Sequence, residues 1–578
     1  MAIGAIAGAI IAAFLAPYMV GLFGVPDGGV GFVTVHQYPK SWDYAVVAMM
    51  VAFSFLGGIY GGQALLPVRS PDPPARTGRS ACPPWAQSIL AVAVFLAMVF
   101  AHDHPHAFID MFHDGEHLTP AFQMKSGQRP FTDTFLLHGL ATNGGLDALV
   151  LGDPSSPARV RRMYTILNAA AIALIVPIAA EVCASTGGVA LAALFSIAAL
   201  GAGQVKVFPY FRLAPILIAS WALLRFARSG RLGSLFVAVA ASSLGILWSL
   251  DTGTYAFVAT AILLVVGVRR MPRISEIAVI GAALLLPLLI LLILRADLRL
   301  FFADSLVNIP RAIDAVWSLP APKLWTLTFE GARYYVPLVF YGFLLALALR
   351  EATLTQRRMA ILAIFSIILF RTAAGRVSWS HTRYAMPLIG IALVAFLLEP
   401  LIRRRAWMWA VAVALPFAFL LELGPNVRDG AKLIAGWRSR QSHEGMVPYP
   451  FRTGKGIYTY QENANDLAAL NGFIESLGPE ATFLDFSGER ALHYLLERKP
   501  TVRCPDINML SSPALLSEAM AELNANPPSC VIVEGTKVFR EFDGVPHEVR
   551  VPDLARWIES SYPHRRQIGR FVVATRQP

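Results

Sequence analysis

The chain has 578 residues, of which 55% are hydrophobic and only 15% charged, with a mean hydropathy of +0.54. Soluble domains carry about 25% charged residues, so this composition excludes an ordinary soluble protein and indicates a polytopic α-helical membrane protein. The net charge of +11 fits basic cytoplasmic loops, since basic excess in an integral membrane protein follows the positive-inside rule; no nucleic-acid partner is expected.

Residues 2–20 are apolar and long enough to span a hydrocarbon core, which takes about 20 residues. No Lys or Arg precedes Lys40, so the run reads as a retained helix rather than a cleaved signal peptide. Further apolar runs follow at 44–66, 87–101, 162–183, 188–202, 209–226, 233–250, 253–268, 274–294, 334–349, 358–374, 383–401 and 406–423. Together they predict about thirteen spans. The chain then divides into two N-terminal helices and a linker (1–86), a transmembrane core with an outward loop at 102–161 (87–423), and a C-terminal domain (424–578).

Between the runs, basic residues recur as Arg69, Arg76, Arg79; Arg225, Arg228, Arg231; Arg269, Arg270, Arg273; Arg350, Arg357, Arg358; and Arg403, Arg404, Arg405. If the spans alternate, all five clusters fall on one side, which the Arg bias makes cytoplasmic. The loop at 102–161 and everything beyond Leu423 then face outward, as for a bacterial inner-membrane protein. Arg159, Arg161 and Arg162 break the rule, and a lipid phosphate is their expected partner.

Beyond Leu423, segments 482–486, 531–534 and 571–575 read as short buried strands, with helical patterns at 463–477, 488–498, 513–525 and 552–561. Strands alternating with helices predict a small extracytoplasmic α/β domain. The turn at 485–488 reads as a plain tight turn, because one glycine falls short of a nucleotide fingerprint. Cys82 and Cys183 fall on the reducing side, whereas Cys504 and Cys530 share the outward domain, where a disulfide is expected.

One stretch stands apart. Residues 110–139 hold Asp110, Asp114, Glu116 and Asp133, His113, His117 and His138, and Lys125 and Arg129, all beside an apolar span. Ionisable groups at the bilayer surface are costly unless they face water or a partner, so the stretch reads as a functional site. Thr119 suits a helix N-cap, Pro120 the first helical position and Gly127 the stop. Leu118, Ala121 and Phe122 then share a face, so this helix is expected to lie flat on the membrane, with a second short helix near 145–151.

An acidic motif just after a span (Asp114, Gly115, Glu116, His117), an amphipathic helix, a Gly127 to Asp133 run containing Pro130 and Phe131, and a closing His138-Gly139 resemble the GT-C superfamily of polyprenyl-phosphate-dependent glycosyltransferases. That group includes aminoarabinose transferases and protein O-mannosyltransferases. The segments 208–215 and 375–387 resemble it further. The resemblance implies a membrane enzyme that moves a sugar from a polyprenyl-phosphate donor to an extracytoplasmic glycolipid, polysaccharide or protein. It requires no cofactor, although a divalent cation suits the chemistry, and no metal-binding residues are assigned. Sugar transfer from a lipid phosphate needs cations on the leaving phosphate and a carboxylate on the acceptor hydroxyl. Asp114 and Glu116 are the alternatives for that carboxylate, because Gly115 splits the acid pair. Asp110, His117, Asp133 and His138 are expected to support them. Arg376, Arg383, His381, Arg212, Lys206, Arg159 and Arg162 are the candidates for the phosphate.

Two rivals follow from the same residues. The run from His113 to His117 matches the H-x-x-E-H pattern of zinc proteases, but Gly115 weakens the helix that pattern needs, and the next Glu, Glu181, falls at the far end of a span. A transporter or flippase of lipid-linked sugars would be expected to carry its acids in mid-span, whereas these gather at the surface.

Overall fold

Apolar runs become helices in a membrane because each backbone N–H and C=O must be satisfied within its own segment. The computed structural model describes residues 5, 8, 9, 11, 12 and 29–578, the last range except 62–81, 103, 105, 107, 202–208, 268–272, 324–327 and 350–352. All but five residues of the predicted first span, and also Lys206, Arg69, Arg76, Arg79, Arg269, Arg270 and Arg350, lie outside the described residues. Among the described residues, seven helices are long and apolar enough to cross a membrane, and the pair Trp407–Leu420 and Leu423–Ala435, bent by 57°, makes an eighth. Three further apolar helices, Thr186–Leu200, Leu232–Trp248 and Leu250–Val266, fall short of that length. The expected count of thirteen is therefore not reached by length. Ser249, in extended conformation, ends the helix at Trp248, and the helix of the run at 383–401 begins only at Ile389 and continues through a π-helical turn at Val394–Leu398 to Glu399–Arg403.

The two ends of the bundle differ in chemistry. At one end Glu181 pairs with Arg228 at 2.8 Å and with Arg225 at 3.9 Å, and the Glu399 carboxylate accepts from the Ala184 amide at 2.6 Å and the Ser185 hydroxyl at 2.7 Å. Basic clusters that are distant in sequence meet there. At the other end lie the acidic loop and the C-terminal domain.

That domain is built on a four-stranded sheet in the order Phe483–Asp485, Cys530–Glu534, Phe571–Thr575, His564–Ile568. The first pair is parallel and the other two are antiparallel. The three predicted strands are present. His564–Ile568 escapes prediction because its sequence, HRRQI, lacks an apolar face; it is an edge strand with four of five residues exposed. Predicted helices appear at Gln461–Ser476, Pro513–Ala525 and Pro552–Ser561, with a shorter one at Leu492–Leu495.

Side chains alternate across a sheet, and here both faces are buried. Phe483, Cys530, Ile532 and Val573 pack on one face with Ile109, Met111, Leu118 and Ala121 of the acidic loop. Leu484, Cys504, Val531 and Ala574 pack on the other with Phe135, Leu137 and Ile309. The predicted disulfide is absent: Cys504 and Cys530 are free and buried, on opposite faces of the sheet.

The helix of the acidic loop runs over Gly115–Lys125, five residues earlier than predicted, with Pro120 inside it and Gly127 ending it at φ +85°. Pro120 has no N–H to offer the carbonyl of Glu116, and Asn143 Nδ2 donates to that carbonyl instead, at 2.8 Å. Leu118 and Ala121 do not face lipid. They are 1% and 0% exposed beneath the C-terminal domain, where burying one leucine contributes about 1.5–3 kcal/mol. The second short helix is found at Leu146–Val150.

Candidate active site

Two close approaches bring the polar residues together. At Gly139, φ +95°, an added Cβ would stand 2.9 Å from the Leu250 amide nitrogen, and that amide donates to the His138 carbonyl at 2.8 Å. The His-Gly pair thus seats His138 on the break between Leu232–Trp248 and Leu250–Gly267. At Gly115, an added Cβ would stand 2.4 Å from the Ala491 nitrogen. Only glycine lets residues 490–491 of the C-terminal domain come down onto the loop helix, where Thr119 Oγ1 donates to the Arg490 carbonyl at 2.7 Å.

The two principal acids have different company. Asp114 accepts from the Asp110 amide at 2.9 Å and from Arg161 Nη2 at 2.6 Å, with His117 Nε2 3.5 Å away. Burial opposes its ionisation, but the charge of Arg161 and the hydrogen bond from His117 outweigh this and hold the carboxyl well below the usual range. Burial likewise works against a charged His117, yet Asp147 and Asp114 raise its pKa to about 10, so this ring is an imidazolium at neutral pH.

Glu116 accepts from Arg490 Nη1 at 2.7 Å, and its other oxygen lies 3.8 Å from His138 Nε2. Burial disfavours its charge, but Arg490, His138, His113 and Arg212 together lower its pKa. Arg212 Nη2 donates to His138 Nδ1 at 3.0 Å and to Asp251 at 2.5 Å. Nδ1 is therefore the acceptor of that ring, and its N–H is on Nε2, toward Glu116. Burial, reinforced by Arg212, lowers the His138 pKa to about 4, so it is neutral.

These groups surround a cavity with two lobes. The larger, about 370 Å³, reaches Asp114, His117, Arg161 and Tyr164. The smaller, about 190 Å³, reaches Asp251, Arg371, Arg376, His381 and the aromatic rings of Trp317 and Phe542. His113, Glu116, His138 and Arg212 line both. The junction thus holds a carboxylate, a guanidinium and a neutral imidazole, a set able to take a proton, hold an anion and donate a hydrogen bond.

Of the predicted residues, Asp110, Asp114, Glu116, His117, His138 and Arg212 line the larger lobe, and Arg376 and His381 the smaller. Others lie elsewhere. Arg383 points to Glu422 at the bend after Trp407–Leu420, sharing that acid with Arg333. Asp133 pairs with half-exposed Arg129 at 3.1 Å on the surface. Arg159 reaches the Leu151 carbonyl at 3.5 Å, and both it and Arg162 are exposed. Arg161 is the member of that cluster on the inward face of Pro157–Ala173. In the histidine pair of the H-x-x-E-H pattern, His113 Nδ1 is taken by Asp110 at 2.9 Å and His117 Nδ1 by Asp147.

Sequence reasoning missed Asp251, Arg371, Asp147 and Arg490. Asp251 carried a signal, as an acid between the apolar runs 233–250 and 253–268. Arg490 carried none, since its partner Glu116 is 374 positions away. The turn at 485–488, read as a plain tight turn, delivers Arg490 to the site: the Asp485 carboxylate accepts from the Ser487 amide at 2.9 Å and hydroxyl at 2.6 Å just ahead of it.

No family model and no curated protein matches the chain. Among solved structures it is similar to ArnT from Cupriavidus metallidurans bound to undecaprenyl phosphate, at 14% identity over 86% of this chain and 98% of that one, TM-score 0.47. The apo ArnT structure is similar at 14% identity over 85% and 97%, TM-score 0.46. Likeness at this level carries neither activity nor residue roles from one chain to the other.

Proposed function

We propose that this protein is a membrane glycosyltransferase that moves a sugar from a polyprenyl-phosphate donor to an extracytoplasmic glycolipid, polysaccharide or protein. The observation that carries this reading is the set of groups that line both lobes, the Glu116 carboxylate, Arg212 and neutral His138 among them. The smaller lobe, with Arg371 and Arg376 beside Arg212, suits the donor phosphate, because a guanidinium fork engages two phosphate oxygens. The larger lobe suits the acceptor. Glu116 takes the proton of the acceptor hydroxyl as its oxygen bonds to the anomeric carbon. The bond from that carbon to the phosphate oxygen breaks, and the arginines stabilise the departing lipid phosphate. His138 Nε2 donates to an oxygen at the junction. Asp114, bound to Arg161 and His117, holds the acceptor lobe in shape. The basic end of the bundle is cytoplasmic by the positive-inside rule, which sets the cavity and C-terminal domain outside a bacterial inner membrane.

The test is transfer from a purified polyprenyl-phosphate sugar by the protein in liposomes. Glu116→Gln is expected to lower turnover about a hundredfold to ten-thousandfold, the usual size of a general-base contribution, with donor binding retained. If Glu116→Gln and Asp114→Asn both keep wild-type turnover, the reading is wrong.

A further inference from the structure

We propose that Arg490, contributed by the C-terminal domain, is the positioning residue for the Glu116 carboxylate, so that the domain completes the active site. This rests on Glu116 being the acceptor base. Arg490 spans two acids, with Nη1 2.7 Å from Glu116 Oε1 and Nη2 2.6 Å from Asp506 Oδ1. Its guanidinium lies over the Phe112 ring, 4.0 Å from the centroid, and the residue is 5% exposed. A guanidinium hydrogen-bonded to Glu116, paired in charge with Asp506 and stacked on an aromatic face has little freedom, so the carboxylate it binds is held in place too. One Glu116 oxygen is thereby tied down, and the other is directed to the junction, 3.8 Å from His138 Nε2.

The backbone is arranged to the same end. The Ala491 amide donates to the Met111 carbonyl at 2.9 Å, the Arg490 carbonyl accepts from Thr119, and Gly115 leaves room for both. Three contacts between the loop and residues 490–491 thus bracket Glu116.

The charge of Arg490 also bears on when Glu116 is ionised. The charged or titratable groups facing Glu116 are His113 on its own segment, His138 from the next loop, Arg212 from the bundle and Arg490 from the domain, with Asp506 behind Arg490. After the opposing effect of burial, Arg490 is the strongest influence on it. Removing that charge raises the pKa of Glu116, and the base is then protonated over more of the acid range.

The experiment follows the pH dependence of sugar transfer in liposomes. Arg490→Gln is expected to lower kcat at least tenfold with donor KM within about threefold of wild type, and to move the acid limb of the kcat profile to higher pH. Arg490→Lys keeps the charge but cannot span both acids. It is expected to keep the acid limb near wild type and recover part of the turnover. An unmoved acid limb in Arg490→Gln, or a lysine variant no better than the glutamine one, overturns the proposal. If Arg490→Gln does not fold, Arg490→Lys decides alone, and wild-type turnover in it overturns the proposal. The contact is also read without activity, from thermal unfolding of Glu116→Gln, Arg490→Lys and the double variant. Non-additive Tm changes of several degrees are expected, and additive ones count against the pairing. A wild-type protein that transfers no sugar but shows this coupling tells against the glycosyltransferase reading, not against the clamp.

Discussion

The guanidinium of Arg376 is gripped by the carboxylate of Asp543 in a bidentate pair, at 2.7 and 2.8 Å. Arg376 comes from the bundle end and Asp543 from a loop of the C-terminal domain whose preceding residue, Phe542, lines the smaller lobe. Asp543 sits at φ +56°, in the left-handed region. A phosphate that engages the Nη1 and Nη2 end of Arg376 must displace an acid already occupying it.

Asp543→Asn is accordingly expected to lower the apparent KM for the polyprenyl-phosphate donor several-fold, since an amide holds the guanidinium less strongly, and Asn tolerates the left-handed conformation. Arg376→Ala is expected to raise it about tenfold to a hundredfold, the equivalent of losing a charged hydrogen bond worth roughly 1.5–3 kcal/mol. Initial-rate kinetics on both variants check this. A donor KM untouched by either substitution removes Arg376 from the phosphate site.

His117 gives the loop a pH signature. Its pKa is raised from 6.5 to about 10 in the folded protein, so the folded state binds its proton more tightly than the unfolded state. The resulting stability is fully present below about pH 6.5 and is lost as pH rises toward 10. Thermal unfolding in detergent should show Tm falling across that window, and the fall should be smaller in His117→Gln. Equal alkaline losses in the two proteins would mean that the imidazolium is not held by Asp114 and Asp147.

Much of this was legible in the sequence because the signals were local. Apolar runs located the helices, the alternating strands located the C-terminal sheet, and the crowding of acids and histidines at 110–139 located the cavity wall. What escaped depends on which residues meet. The face shared by Leu118 and Ala121 was legible, but whether lipid or protein covers it was not, because both are apolar. Three arginines at 159–162 looked equivalent, and helical phase alone turns Arg161 inward. Gly115 looked like a flaw in a helix, and its reason, the backbone of Ala491, lies in another domain.

The cysteines are expected to stay reduced and inert in the folded protein. Burial raises the pKa of the Cys530 thiol to about 12, which leaves almost no thiolate at neutral pH. A maleimide reagent should label Cys504 and Cys530 only after denaturation, and non-reduced peptide mapping should find no bridge between them. Rapid labelling under native conditions would contradict their burial on the two faces of the sheet.

Two glycines in helices provide a paired test of how the domain is seated, because the same substitution has opposite expected signs. Alanine favours a helix over glycine by about 1 kcal/mol where nothing else changes. Gly472, within Gln461–Ser476, has nothing within 4 Å of an added Cβ, so Gly472→Ala should stabilise the protein by roughly 0.5–1 kcal/mol. At Gly115 the added carbon meets the Ala491 nitrogen at 2.4 Å and the Arg490 carbonyl carbon at 2.7 Å. Those are backbone atoms, so the strand-to-helix segment of the domain must shift, at a typical overpacking cost of about 1–3 kcal/mol that exceeds the gain in helix propensity. Gly115→Ala is therefore expected to lower Tm, to speed proteolysis near residues 485–498, and to reduce turnover by moving Arg490 away from Glu116. Thermal unfolding and limited proteolysis of both variants in the same detergent read the contrast. If Gly115→Ala is as stabilising as Gly472→Ala, the domain does not sit on the loop helix as closely as 2.4 Å requires.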